Sequence, residues 1–304
     1  MKWIASPWLR SIQKLPKYFF VVNPVSGRGR GQAVGKEVES LIRHEKLQCE
    51  VVYTERPWHA AELAQDAAKH YDIIVCVGGD GTLNEVVNGI YGTHKPLGII
   101  PVGTGNDFVR AVHIPFQTGK AFRLLMQNHR RTIDLGKANE RYFHNGVGIG
   151  FDAHVVNTSN RVRHLKGNAV YLYSVLKTLL SYRPHLIKVA IDGKQTIRDF
   201  FMVTVGNGTS LGGGFYLTPD AKMDDGTFDL CLIQNMPVKD ILINLIKVYR
   251  GRHKEDPRVD IQRARVIQFS SEQGFAVHAD GELLTMNSKS LKIEIVPAAL
   301  EIIA

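Results

Sequence analysis

The run DIIVCVGGDGTLNEVVNGI, residues 72–90, constrains the fold of this chain more than any other stretch. Its first half is apolar without alternation, which fits a strand buried on both faces of a parallel sheet. Leu83, Val86, Val87 and Ile90 then recur at i, i+3, i+4 and i+7, one face of a helix. Thr82 and Glu85 match a capping box, in which Thr82 accepts from the Glu85 N–H and the Glu85 side chain reaches back. Packing does not explain the glycines around Asp80, because each raises the backbone entropy lost on folding. A glycine-rich loop at a helix N-terminus does let backbone N–H groups approach a phosphate. Asp80 would repel that phosphate unless a cation lay between them, so the stretch is either a tight turn or a phosphate site in which Asp80 holds a metal or polarises its water.

Residues 17–136 repeat this alternation. KYFFVVN, CEVVYT, DIIVCVG, PLGIIPV and RTIDLG read as strands, with helices expected near 34–46, 58–69, 83–90 and 107–112. Such alternation implies crossover connections and a mainly parallel sheet covered on both faces, an α/β domain. After Gly136 the runs RYFHNGVGIGF, HLIKVAID, DFFMVTVGNG, TFDLCLIQ, ARVIQFS and KSLKIEIV suggest an antiparallel domain, interrupted by helices near 168–181 and 238–249. The expected division is an extension over 1–16, an α/β domain over 17–136 and a β domain over 137–304. The last residues, ALEIIA, suit a strand in either domain.

Two more loops end strands in the first domain. VVNPVSGRGRG offers Asn23 and Ser26 as hydrogen-bonding groups with Arg28 and Arg30 as charges, although it lacks the GxxxxGK[ST] pattern. IPVGTGNDFVRA is the other. In open α/β sheets ligands bind beyond the carboxyl ends of the strands, where all three loops lie. In the second domain GNGTSLGGGF, PDAKMDDGTFDL and HADGELL contain hairpin signals. Asp224-Asp225-Gly226 is therefore a turn or a cation site, and Glu282 is a candidate general base.

A net charge of +9 favours acidic partners, whether nucleotides or an anionic membrane surface. Scattered Lys and Arg residues without a recognised nucleic-acid motif argue against dedicated nucleic-acid binding. No run approaches the roughly 18 apolar residues of a membrane span. Three cysteines without CxxC spacing suggest neither a disulfide framework nor a thiolate zinc site, and a cytoplasmic setting follows. Residues 1–16, with Trp3, Trp8, Lys2 and Arg10, suit a membrane interface or a packed or frayed terminus; residues 171–184 suit lipid contact or simple packing. A homodimer is the common default for a soluble enzyme.

Taken together, NPVSG, GGDGTLNEV, GTGNDF, GFDA, GNG with GGG, PDAKMDDG and DGE resemble, in order and spacing, the diacylglycerol kinase-like lipid kinases. That family includes bacterial diacylglycerol kinases and, more distantly, sphingosine kinases. GGDGT is shared with NAD kinases and, loosely, phosphofructokinases; GTGNDF and the late DGE separate the lipid kinases. The resemblance implies an α/β plus β fold, an NAD kinase-like nucleotide domain followed by an antiparallel β-sandwich, and transfer of the ATP γ-phosphate to a lipid hydroxyl. Asn23, Pro24, Val25, Ser26, Gly27, Thr54, Gly79, Asp80, Gly81, Thr82, Leu83, Asn84, Glu85, Thr104 and Asn106 would bind ATP. Glu282 would be the base, and Asp80, Asp107, Asp134 and Asn106 would organise catalytic Mg²⁺ through water. Lys222, Asp225 and Thr227 would hold a structural Mg²⁺, the lysine only through its carbonyl. A lipid alcohol and the inner face of an anionic membrane are the implied partners. Two departures stand out: the extension over 1–16, and Val109 where the family commonly has alanine. A soluble-substrate kinase of the NAD kinase type and a non-catalytic nucleotide- or lipid-binding regulator are the rival readings.

Overall fold

A computed structural model describes residues 15–162 and 168–304. The expectation for the first sixteen residues therefore falls almost wholly outside the described residues.

The first part runs β1 (Tyr18–Val22), α1 (Ser26–Glu45), β2 (Cys49–Tyr53), α2 (His59–Ala67), β3 (Ile73–Gly78), α3 (Asp80–Ile90), β4 (Leu97–Pro101), α4 (Asp107–Ala111), α5 (Thr118–Gln127) and β5 (Arg130–Ala138). Strands β2, β1, β3 and β4 lie side by side and parallel, as the apolar runs predict. Every residue of β1, β3 and β4 is buried, because helices cover both faces of the sheet. Phe20 stacks on Phe122 of α5, while its neighbour Phe19 meets Tyr71 on the opposite face.

Beyond it come β6 (Arg141–Phe143), β7 (Gly146–Gly150), α6 (Phe151–Ser159), α7 (Asn168–Ser181), β8 (His185–Ile191), β9 (Lys194–Gly206), β10 (Phe228–Gln234), α8 (Val238–Val248), β11 (Val259–Ala264), β12 (Val266–Ala279) and β13 (Glu282–Ile303). Their pairings are antiparallel. One apolar core fills the inside of these strands, around Phe143, Phe228 and Phe269; another lies between β9, β10 and helices α6, α7 and α8.

The two parts share one sheet. β13 starts as the partner of β12, passes along β5, and ends with Ile302 parallel to Leu97 of β4. The terminal residues thus belong to the first domain's sheet, and the expected division at residue 136 falls inside β5. Helices α5 and α6 are additions to the sequence reading; α6 begins at Phe151, the last residue of the apolar run read as a strand.

Two local expectations fail. Helix α3 starts at Asp80 with Gly79 as its cap, so Thr82 is already inside it and makes no capping bond. Thr82 Oγ1 instead accepts from Asn23 Nδ2 at 2.8 Å, and Glu85 Oε2 from the backbone N–H of Ala60 at 3.1 Å. These side chains tie elements together across the fold, so the capping box is corrected. Helix α1 begins at Ser26 rather than near Val34, through a kink where Gly27, Arg28 and Gly29 take positive φ.

Candidate active site

The three strand-end loops meet. Ser26 Oγ accepts from Gly79 N at 3.3 Å, and Arg30 Nη2 donates to Val102 O at 2.8 Å, binding the first loop to the other two. A Cβ on Gly27 would fall on Val102 O, so only glycine permits the approach. Around this junction opens a cleft of about 260 Å³, lined on one side by Arg28, Asp80, Thr104, Gly105 and Asp107, and on the other by Tyr171, Gly212, Gly213 and the Asp280-Gly281 turn. Val25 and Thr54 do not line it: Val25 is exposed and donates its N–H to Asn23 Oδ1, and Thr54 is buried just after β2 with its N–H on Val22 O.

Asp80 stands in the cleft with Oδ2 accepting from Asn106 N at 2.8 Å. Asn106 takes φ 51°, which presents that N–H. Loss of water around Asp80 and the nearby charge of Asp107 push its carboxyl up to about 6, against the opposing pull of His144 and the Asn106 N–H. A carboxyl raised in this way is one that a divalent cation would ionise, so Asp80 suits Mg²⁺ held through water; among the described residues no three His, Cys, Asp or Glu side chains converge to ligate a metal directly.

Asp107 and Asp134 do different work. Asp107 accepts from Gly213 N (2.7 Å), Gly214 N (2.8 Å), Ser210 Oγ (3.0 Å) and Arg110 Nη1 (3.3 Å), and so fastens the glycine loop of the second part to α4 of the first. Asp134 does not line the cleft: its oxygens take Gly226 N at 2.7 Å and Ala298 N at 2.8 Å, anchoring the 224–227 turn against β13.

In that turn Asp225 Oδ1 accepts from Thr227 N and Oγ1, while Arg263 lies 3.4 Å from Oδ2. Lys222 is exposed. Next to them Asp229 Oδ2 is buried without a hydrogen-bond partner; burial raises its carboxyl, with Asp225 and Asp220 adding, against the opposing charge of Arg263, whose Nε lies 3.6 Å from Oδ1. An orphaned carboxylate oxygen beside Asp225 suits a cation at this loop.

Glu282 begins β13 directly after the two-residue turn Asp280-Gly281, whose residues both take positive φ as an Asp-Gly hairpin turn requires. This hairpin carries the carboxylate of the second part to the Gly79–Gly81 loop of the first: Oε1 lies 2.7 Å from where a Cβ on Gly81 would stand. Burial raises the Glu282 carboxyl, and Arg141, which bonds Oε2, opposes the rise.

Sequence reasoning passed over Asp280, His144 and Arg141. Asp280 Oδ1 accepts from Asn145 N (2.9 Å) and Gly146 N (3.0 Å), and Oδ2 from His144 N (3.0 Å) and Asn84 Nδ2 (2.7 Å). Burial alone would raise its carboxyl; His144 and these N–H groups outweigh it and hold it at about 2. The motif DGE contained the signal, but an Asp before Gly reads as turn chemistry alone.

Comparison with known proteins agrees with this architecture. Residues 17–138 match the family model for the diacylglycerol kinase catalytic domain, and residues 145–304 that for the YegS C-terminal NAD kinase beta sandwich-like domain. Diacylglycerol kinases of Staphylococcus aureus strains JH9 and Newman are 33% identical over 271 residues, 86% of this chain and 84% of theirs. The crystal structure of a diacylglycerol kinase from Bacillus anthracis str. Sterne is similar with a TM-score of 0.78 at 27% identity, covering 95% of this chain and 97% of that one.

Proposed function

Given that the chain belongs to the diacylglycerol kinase family, whose members are phosphotransferases, we propose that it moves the γ-phosphate of ATP to the hydroxyl of a lipid alcohol such as diacylglycerol, with Glu282 as general base. The observation that carries this reading is the seating of Glu282 Oε1 against Gly81. An acid from the second part thereby meets the loop whose N–H groups suit a phosphate.

Phosphoryl transfer is governed by positioning and charge neutralisation. The loops at Asn23–Gly27, Gly79–Gly81 and Gly103–Asn106 would face the triphosphate, which would take those backbone N–H groups not already bonded within the loops, with Arg28 adding charge on the same side of the cleft. Asp80 and Asn106 would hold through water the Mg²⁺ that would supply charge neutralisation on the phosphates. The Asp225 turn, with carbonyls of Lys222 and Thr227, would hold a second, structural Mg²⁺. Glu282 takes the hydroxyl proton as the lipid oxygen bonds to the γ-phosphorus; the bond to the β-phosphate oxygen breaks, leaving ADP and the phosphorylated lipid.

A lipid acceptor is favoured over a soluble one by the apolar surface beside the cleft. Tyr171 lines both the polar cleft and a narrow apolar slot between α6, α7 and α8. Outside that slot α7 exposes Leu172, Leu176 and Leu180, and α8 exposes Leu242, Ile243 and Ile246. Lys177, Arg183, Lys239 and Arg250 are exposed around them, a composition suited to the inner face of an anionic membrane. No described helix is long and apolar enough to cross a membrane.

Glu282→Gln tests the reading, since glutamine keeps the shape and can still accept from Arg141. With labelled ATP, Mg²⁺ and diacylglycerol, kcat should fall on the order of 10²- to 10⁴-fold with the fold intact. Unchanged lipid phosphorylation would remove Glu282 as the base. Label transferred to NAD and not to an organic extract would favour the soluble-substrate rival.

A further inference from the structure

Arg141 belongs to no motif in the sequence, yet it makes the most specific contacts around Glu282. Its Nε and Nη2 donate to Asn84 Oδ1 at 3.0 and 2.6 Å, Nη2 also bonds Glu282 Oε2, and its Cζ lies 4.0 Å from the centre of the Trp58 ring. Only 20% of the side chain is exposed.

Each partner is itself held. Asn84 is fully buried and gives its Nδ2 to Asp280 Oδ2 and to Tyr142 O. Trp58 takes φ 67° at the entrance to α2, and Glu85 Oε2 fixes that entrance through the Ala60 N–H. A guanidinium stacked on an indole and hydrogen-bonded in its plane has little rotational freedom. Its grip on Oε2 leaves Oε1 of Glu282 directed to Gly81.

We propose that Arg141 is the positioning residue of the transfer: mounted on Trp58 and Asn84, it holds Glu282 by one oxygen and presents the other to the acceptor hydroxyl. The inference rests on the reading of Glu282 as base and deepens it. Arg141 also opposes the rise that burial and the like charges of Glu85 and Asp280 impose on that carboxyl. Asn84 and Glu85 then serve the base and its platform rather than the nucleotide directly. Lysine would bring charge without the planar fork or the stack, so it is a poor substitute.

The test is a mutant cycle on the full chain with ATP, Mg²⁺ and diacylglycerol in mixed micelles. Arg141→Met should lower kcat on the order of 10²-fold, as a misplaced catalytic group does, with KM for ATP changed by less than about threefold. Arg141→Lys should recover only a small part. Trp58→Ala, a change at a partly exposed site that spares the arginine, should lower kcat in the same selective way. The acid limb of kcat against pH should move to higher pH in Arg141→Met, because the group that opposes the rise in Glu282 is gone. In a Glu282→Gln background Arg141→Met should add nothing, since its route of action is already closed. A further loss there, with raised KM for ATP, would overturn the proposal and make Arg141 a direct phosphate contact. Wild-type kcat in folded Arg141→Met, with Glu282→Gln inactive, would overturn the role of Arg141 alone. An active Glu282→Gln would instead bring down the base reading beneath it.

Discussion

Asp80 and Asp280 face the same cleft with opposite electrostatic histories. Asp80 titrates near 6 in the folded chain against an ordinary 3.8, so its ionisation opposes folding as pH rises from about 4 through 6, and the full cost is present above that. Asp280 is held at about 2, so it contributes stability above about 4 that is lost as pH falls toward 2. Asp80→Asn should therefore stabilise the Mg²⁺-free protein at pH 7.5 by about 1–3 kcal/mol while activity collapses, and the gain should vanish near pH 4. Thermal melts across that range check it; a destabilised variant at pH 7.5 would mean that the aspartate is satisfied without a cation. The sequence announced Asp80, because an acid among glycines has no structural motive. It could not announce Asp280 or Arg141, whose roles depend on backbone N–H groups and side chains up to 196 residues away. Asp134 entered only through the family resemblance, and its partners, the 224–227 turn and β13, exist only in three dimensions.

Among the elements, helices and strands of strong period were readable and their ends were not. The apolar spacing of α3 was plain, yet its start moved to Asp80 because Gly79 ends the strand and Thr82 is drawn to Asn23 across the loop. Helix α7 posed the opposite problem, since its sequence fitted both packing and lipid contact. It does present two apolar faces: Val175 and Leu179 are buried, while Leu180 is 81% exposed, a face that water alone does not favour. Pairing Leu180→Asp with Ile246→Asp on α8 should leave melting unchanged, because both side chains are exposed. It should also weaken co-sedimentation with anionic phosphatidylglycerol vesicles. Undiminished binding to these vesicles would clear the two helices of any docking role.

At the scale of the molecule, the fold class and the order of its two parts were written in the alternation before Gly136 and the glycine-rich turns after it. Their fusion was not, because the pairing of residues 130–133 with 300–303 joins strands far apart in the chain. Leu300, Ile302 and Ile303 are all nearly fully buried, and their burial is worth on the order of 5 kcal/mol, a large share of the net stability of a typical protein. Deleting residues 299–304 should thus unfold the nucleotide-binding part as well, seen as lost solubility or a melting temperature far below that of the full chain. A truncated chain that melted like the parent would show that β5 holds its place without β13. The same pairing has a meaning for biosynthesis. Strands β4 and β5 leave the ribosome with an open edge whose partner is still some 170 residues from being made, as the bond from Arg130 to Glu301 shows. Such an edge invites pairing with other chains. The nascent first part gains a finished sheet only when synthesis has also delivered Glu282.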